Sequence, residues 1–189
     1  MREKIQVRPV PILLALALLS VGLLPQVVNA QGGITSPEKF FGFQLGADRK
    51  IARWDRIVDY CRLLEKEAGG KLKVTDMGPS TMGNPFLLVT ITSASNHVKL
   101  EQLRQVNLKI SDPRGIAEPE IKKLGAEGRA VICQTMSLHA TEIGGTQMAP
   151  ELAYDLVSRQ DEETQRILDN VVFLLVPSFN PDGAILVAD

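Results

Sequence analysis

Apolar residues recur every three or four positions in two long stretches of the chain, and this period predicts amphipathic helices. The first helix is expected from about residue 48 to residue 67, where a pair of glycines ends it. The second is expected to begin near Asn96 and to end at Ser111, before a proline. Shorter helices are predicted to begin at Ser36, to cover residues 119–124, to begin near Pro150, and to cover residues 161–170.

Branched and aromatic residues are concentrated in four other runs, which predict strands. Residues 72–77 and 86–92 flank the turn-rich segment GPSTMGNP, so they are expected to form a hairpin. Residues 130–135 and 171–176 are almost continuously apolar, which favours strands covered on both faces. Because a helical segment joins these two strands, they should be parallel neighbours in an α/β fold.

The first thirty residues have the pattern of a secretory signal peptide. Three basic residues precede a charge-free run over residues 11–24, and small residues follow up to Ala30. The run is shorter than the ~20 residues that span a bilayer, so we expect cleavage after Ala30, with an uncleaved membrane anchor as the alternative. The protein is therefore predicted to be exported to the periplasm or outside the cell, without a stable membrane span after cleavage.

Three segments are predicted on this basis: residues 1–30 as the signal peptide, residues 31–47 as a linker with a short helix, and residues 48–189 as one domain. The formal net charge is −1 and only 5% of residues are aromatic, which argues against nucleic acid as a partner. The chain has two cysteines, Cys61 and Cys133. Both lie in apolar patterns that predict burial, so two free core thiols are expected, with a single disulfide as the alternative.

The candidate chemistry lies in the segment QTMSLHATEIGG, just after the predicted strand at residues 130–135. Loops at the carboxyl end of such a strand often carry functional side chains. His139 and Glu142 are three residues apart there, and an imidazole nitrogen and a carboxylate oxygen are both suitable zinc ligands. A polar histidine in a turn is the alternative. Ser137 lacks the sequence context of a nucleophile, and His97 is expected on a helix surface or at a helix cap.

Two segments taken together, AVICQTMSLHATEIGG and VVFLLVPSFNPDG, resemble the zinc carboxypeptidase family of metallopeptidases, in a divergent group of exported bacterial members. The resemblance begins near Ser36 and includes FFGFQLGADRKIARWD and MGNPFLLVTI. It implies a three-layer α/β/α sandwich on a mixed, mostly parallel sheet. It also implies a catalytic zinc ion held by two histidines and one glutamate. His139 and Glu142 match the first two ligands, and residues 180–183 match a structural turn of the family.

The sequence also departs from the family pattern. Thr141 stands where family members often have arginine. The third zinc ligand, the catalytic glutamate and the carboxylate-binding arginine lie downstream of Asn-Pro-Asp-Gly in the family, so the chain is expected to be an N-terminal portion that is inactive alone. The expected function is a metallocarboxypeptidase-like hydrolase that removes C-terminal residues from peptides.

Two alternatives remain for the function. One is a non-catalytic secreted fragment or binding module that reuses the fold. The other is an amino-acid deacylase or peptidoglycan amidase of the same wider family. The sequence carries no signal for the oligomeric state.

Overall fold

A computed structural model of the protein describes residues 33–189. The predicted signal peptide, residues 1–30, lies outside the described residues, as do the first two residues of the predicted linker. Between Gly33 and Asp189, no helix is both long enough and apolar enough to cross a membrane.

Eight helices and four strands are present in this part of the chain. The helices are α1 (Pro37–Phe41), α2 (Trp54–Glu67), α3 (Ala94–Val98), α4 (Leu100–Ser111), α5 (Glu118–Glu127), α6 (Ile143–Ser158), α7 (Glu162–Asn170) and α8 (Pro181–Ala188). The strands are β1 (Leu72–Pro79), β2 (Pro85–Ile91), β3 (Ala130–Thr135) and β4 (Val171–Val176). The fold is therefore mixed α/β, as the sequence predicts.

The four strands form one sheet in the order β1-β2-β4-β3. Strands β1 and β2 form the predicted antiparallel hairpin, and β2 also pairs antiparallel with β4. Strands β3 and β4 are parallel neighbours in register from Ala130↔Val171 to Thr135↔Val176, which confirms the predicted crossover. The sheet is mixed, but two of these three pairings are antiparallel, so "mostly parallel" does not describe the four strands.

The main hydrophobic core lies between the sheet and helices α2 and α6. Trp54, Ile57 and Leu64 of α2 are fully buried, and so are Leu87 and Ile91 of β2. Burial of each such side chain stabilises the fold by roughly 1.5–3 kcal/mol. The indole Nε1 of Trp54 also donates to the carbonyl of Pro85 at 3.0 Å, which ties the start of α2 to the start of β2.

The prediction that β3 is covered on both faces is wrong. All six of its residues are exposed, whereas β4 lies between β2 and β3 and is largely buried. Both strands are rich in apolar residues, although β3 ends with the polar residues Gln134 and Thr135, and their different positions in the sheet account for the different exposure. Cys133 is consequently exposed rather than in the core, while Cys61 in α2 is buried as predicted, and both thiols are free.

Three other predictions of local structure are also corrected. Helix α2 begins at Trp54 rather than near residue 48, because the preceding segment contains left-handed turns at Gly46 (φ 85°) and Arg49 (φ 56°). Helix α6 begins at Ile143 and contains Pro150 in its interior. The predicted helix near Asn96 is divided into α3 and α4 at Lys99.

Candidate metal centre

The loop from Met136 to Glu142 joins the carboxyl end of β3 to the start of α6. Two backbone hydrogen bonds fix its first residue between the ends of the parallel strands. The Met136 amide donates to the Val176 carbonyl at 3.0 Å, and the Phe179 amide donates to the Met136 carbonyl at 2.7 Å. The loop therefore leaves the sheet from a defined position, at the edge where side chains of an α/β fold converge on ligands.

Within this loop, His139 and Glu142 are joined by three hydrogen bonds. The imidazole Nδ1 of His139 lies 2.8 Å from Oε1 of Glu142, and the His139 amide donates to Oε2 at 3.0 Å. The Glu142 amide donates to the His139 carbonyl at 3.1 Å. The side-chain hydrogen bond from His139, and then the one from its amide, lower the pKa of the Glu142 carboxyl group. One nitrogen and one oxygen donor are thus held side by side with the carboxyl group ionised at neutral pH.

Both side chains are open to solvent, with exposed fractions of 71% for His139 and 54% for Glu142. A metal ion in solution can therefore reach both donor atoms without opening the core. Thr141 is also exposed in this loop.

Ser137 closes the loop. From the sequence, this residue is considered only as a nucleophile. Its hydroxyl donates to the Glu142 carbonyl at 2.5 Å and accepts from the Thr146 amide at 2.9 Å. The backbone of Ser137 has φ 48°, which is unusual for a residue with a side chain. In the sequence, the signal for this role is a serine a few residues before a helix, because its hydroxyl can bond nearby backbone groups.

Gly145 allows Ser137 to approach the first turn of α6. A Cβ atom on Gly145 would lie 3.0 Å from Ser137 Oγ and 3.3 Å from the Ser137 amide nitrogen. Gly144 and Gly145 both lie inside α6, and neither has a positive φ. The requirement for glycine at position 145 is one of space rather than of backbone angle.

Residues 180–183 pack directly against the same loop. They do not form a free turn: Asn180 is the N-cap of α8, and its Oδ1 accepts from the Gly183 amide at 2.8 Å. A Cβ atom on Gly183 would lie 2.7 Å from the Cβ of Ala140. The two segments that carry the family resemblance are therefore in contact in the structure.

His97 belongs to a different part of the surface. It lines a recess together with Glu65, Leu72 and Lys73, whereas His139 lines a narrow cleft with Ser137 and Asn180. Burial lowers the pKa of His97. Among residues 33–189, no group of three or more histidine, cysteine, aspartate or glutamate side chains is arranged to hold a metal ion.

The donor chemistry of His139 and Glu142 fits zinc, because imidazole nitrogen and carboxylate oxygen are both common zinc ligands. The two atoms lie 2.8 Å apart in a direct hydrogen bond, so an ion held by both would take the place of the proton between them. A catalytic zinc site has three protein ligands, and this pair supplies two of them.

A wider groove of about 770 Å³ borders the cleft at His139. The groove and the cleft share Ile51, Ile143 and Gln147 in their walls, so they are direct neighbours on the surface. Its wall combines apolar side chains such as Leu45 and Met148 with charged ones such as Glu151.

Comparison with known proteins identifies a family. The sequence model described as zinc carboxypeptidase matches residues 57–189 of the chain. No curated protein matches the sequence significantly.

Solved structures show the same fold at low sequence identity. Thrombin activatable fibrinolysis inhibitor aligns with a TM-score of 0.50 and 10% identity, over 80% of this chain and 29% of that one. Carboxypeptidase A from Helicoverpa armigera aligns with a TM-score of 0.51 and 16% identity, over 78% of this chain and 31% of that one. The chain therefore spans about three tenths of the length of these two structures.

Proposed function

Because the chain belongs to the zinc carboxypeptidase family, we propose that His139 and Glu142 are two of the three protein ligands of a catalytic zinc ion. The reaction is the hydrolytic removal of C-terminal residues from peptides. The observation that carries this proposal is the close pairing of His139 Nδ1 with Glu142 Oε1 at 2.8 Å, in a loop held at the carboxyl end of β3.

The arrangement of the chain's own residues supports this role. When bound, zinc would lower the pKa of a bound water to about 7 and polarise the scissile carbonyl. Glu142 is held ionised by its hydrogen bonds from His139 and is therefore ready to bind a cation. Ser137 and Met136 fix the two ends of the loop, so little ordering of the backbone is needed when the ion binds.

The remaining parts of the active site are proposed to come from outside these 189 residues. They are the third zinc ligand, the glutamate that acts as the base, and the arginine that binds the terminal carboxylate of the peptide. The residues described here hold no three-donor group, so we expect that they bind zinc weakly and do not catalyse hydrolysis alone.

The groove beside His139 supports a peptide as the substrate. It adjoins the cleft and combines apolar and charged lining residues, as an extended chain with mixed side chains requires. The pattern of residues 1–30 supports export, which would make this hydrolase act on peptides in the periplasm or outside the cell.

The zinc ligands are tested by metal analysis of variants. We expect the full-length protein to retain about one zinc ion per chain after dialysis, and His139→Ala or Glu142→Ala to lose it, because each removes one of three ligands. His97→Ala is the matched control, since it removes the other histidine of this chain and should leave the zinc content unchanged. Unchanged zinc in His139→Ala would exclude this residue from the site.

The reaction is tested with a pair of peptides that differ at one end. A carboxypeptidase should release the last residue from a peptide with a free terminal carboxylate and leave the C-terminally amidated peptide intact. Cleavage of an N-acyl amino acid or a peptidoglycan stem amide instead would identify the deacylase or amidase alternative. Zinc binding with no hydrolysis of any of these substrates would favour the binding module.

A further inference from the structure

The loop between β1 and β2 donates three hydrogen bonds to one side chain of the segment that follows β4. We call Ser80–Asn84 the hairpin loop. The Asp182 carboxylate accepts from the Ser80 hydroxyl, from Asn84 Nδ2 at 2.7 Å and from the Met82 amide at 3.0 Å. These contacts join residues about one hundred positions apart in sequence.

The hairpin loop is itself closed by hydrogen bonds, so it forms a defined socket for the carboxylate. The Ser80 amide donates to the Asn84 carbonyl at 2.8 Å, and the Gly83 amide donates to the Ser80 carbonyl at 3.0 Å. The Asn84 amide donates to the Ser80 hydroxyl oxygen at 2.9 Å. Asp182 lies in the first turn of α8, where the helix dipole also favours a negative charge.

Gly183, the residue after Asp182, packs against the loop that carries His139 and Glu142. Gly183 lies so close to Ala140 that a Cβ atom on the glycine would be 2.7 Å from the Ala140 Cβ. Ala140 stands next to His139, and its main chain forms part of the turn that Glu142 closes. Any shift of the first turn of α8 toward this loop would therefore push on the Ala140 side chain, whose residue lies between the two donors in sequence.

We propose that the hairpin loop, acting through Asp182, is a positioning element that fixes the His139–Glu142 pair in its metal-binding geometry. All three donors to Asp182 belong to the hairpin loop, and its carboxylate is engaged by them rather than by the cleft. Asp182 and Ser80 are therefore positioning residues, and they do not contact the zinc ion. The zinc-binding part of the following test rests on the proposed function, while the hydrogen-exchange part does not.

The test compares four variants of the full-length protein. Asp182→Ala removes the carboxylate that accepts the three hydrogen bonds. Ser80→Ala removes one hydroxyl donor with less risk to folding. Ser80→Thr restores a hydroxyl and is the rescue variant. Met82→Ala is the matched control in the same loop, because Met82 contributes only its amide and its side chain is 62% exposed.

Two quantities are measured for each variant. The first is the hydrogen-exchange rate at the amides of His139 and Glu142, which are bonded within the pair, with the amides of β4 as the internal reference. The second is the zinc dissociation constant, from competition with a chromophoric chelator. A residue that orients metal ligands from behind them typically changes metal affinity by about 10-fold or more.

We expect Asp182→Ala and Ser80→Ala to speed exchange at His139 and Glu142 and to weaken zinc binding about 10-fold, with β4 exchange unchanged. Ser80→Thr should recover most of both effects, and Met82→Ala should resemble the wild type.

Unchanged exchange at the two amides in Asp182→Ala would overturn the proposal. Faster exchange to the same degree in β4 would also overturn it, because Asp182 would then act on global stability alone. If the wild type fails to bind zinc, the proposed function fails while the exchange rates still decide whether the hairpin loop positions the pair.

Discussion

At the scale of single residues, Ser137 links the loop of His139 and Glu142 to the start of α6. It combines a left-handed backbone, φ 48°, with a hydroxyl that bonds the Glu142 carbonyl at the end of the loop and the Thr146 amide in α6. The backbone angle is unfavourable for serine, so the two hydrogen bonds offset that cost. The angle and the hydroxyl can be separated by two substitutions at this position.

We expect Ser137→Ala to lower the free energy of unfolding by about 1–3 kcal/mol, because it removes the hydroxyl and keeps the strained angle. Ser137→Gly should cost about 1 kcal/mol less than Ser137→Ala, because glycine adopts a positive φ without strain. Urea denaturation of both variants gives the comparison. Equal losses in the two variants would show that the backbone angle contributes nothing.

The charge of Asp182 should make part of the stability depend on pH. Hydrogen bonds from Ser80, then Asn84, hold the pKa of Asp182 below its ordinary value. A lowered pKa in the folded state means that this contribution is present above about pH 3.9, the value for an unfolded aspartate, and is lost as the pH falls through the folded pKa.

The stability difference between wild type and Asp182→Asn should therefore be constant from pH 7 to about pH 5 and shrink below about pH 4. The three donors to Asp182 are a hydroxyl, an amide side chain and a backbone amide, none of which titrates in this range. Denaturation curves across this range make the measurement. A difference that grows toward acid pH would contradict the assignment.

The pairing of His139 with Glu142 could be predicted from sequence because the two residues lie three positions apart and their contact is local. The contacts of Ser80 and Asp182 could not be predicted in the same way. They join positions 102 residues apart, and only the sheet order β1-β2-β4 brings the hairpin loop to the start of α8. Sequence identifies the turn-forming residues of that loop, while the partner of each depends on the tertiary fold.

At the scale of elements, α6 is held to the segment before α2 by one buried side chain. Gln147 is 7% exposed, and its amide group bonds both backbone groups of Ala52. Nε2 donates to the carbonyl at 2.9 Å, and Oε1 accepts from the amide at 2.7 Å. These two hydrogen bonds anchor the wall of the groove beside His139 to the helix that follows the loop of His139 and Glu142.

We expect Gln147→Ala to lower the free energy of unfolding by about 2–4 kcal/mol, because it leaves a buried N–H and a buried C=O without partners. Gln102→Ala is the control, since this glutamine is exposed on α4 and should change stability by less than about 0.5 kcal/mol. Guanidinium denaturation measures both. A loss below about 1 kcal/mol in Gln147→Ala would indicate that water replaces the missing amide.

The three-to-four-residue period of apolar residues predicted helices α2, α4 and α6. It did not predict where α2 and α6 begin. The apolar residue Ile51 fits the face of α2, yet Gly46 and Arg49 adopt left-handed turns that keep this segment out of the helix. Pro150 suggested a helix start, since proline is favoured in the first turn. It lies instead in the interior of α6, where buried residues on both sides of it, Gln147 and Ala149 before and Ala153 after, pack against the rest of the fold.

At the scale of the whole molecule, the edge of the sheet at β3 exposes apolar side chains. Strand β3 pairs only with β4 among residues 33–189, and Val131 and Ile132 are 50% and 48% exposed. An apolar edge strand without charges or proline is a template for pairing with another chain. The apolar run of β3 predicted a strand, but only the strand order shows that it lies at an edge.

We expect this chain to self-associate through β3, and Val131→Lys to reduce that association because a charge on an edge strand disfavours pairing. Val98→Lys is the matched control, since Val98 is 91% exposed on α3 and is not part of the sheet. Sedimentation velocity over a range of concentrations measures the change. Equal effects of the two substitutions would show that added charge, rather than the edge, controls association.

The two cysteines differ in exposure, and only Cys133 lies on the β3 edge. Cys61 is buried in α2, where burial raises the pKa of its thiol to about 12, so it stays protonated and shielded. Cys133 is exposed in the middle of β3, paired in register with Leu174. A thiol-reactive dye should therefore label one site per chain, at a rate set by access to the sheet edge. Labelling of Cys133 therefore reports whether the β3 edge is covered. A second copy of the chain, or the rest of a longer polypeptide, should slow the reaction of Cys133 with the dye if it covers this edge.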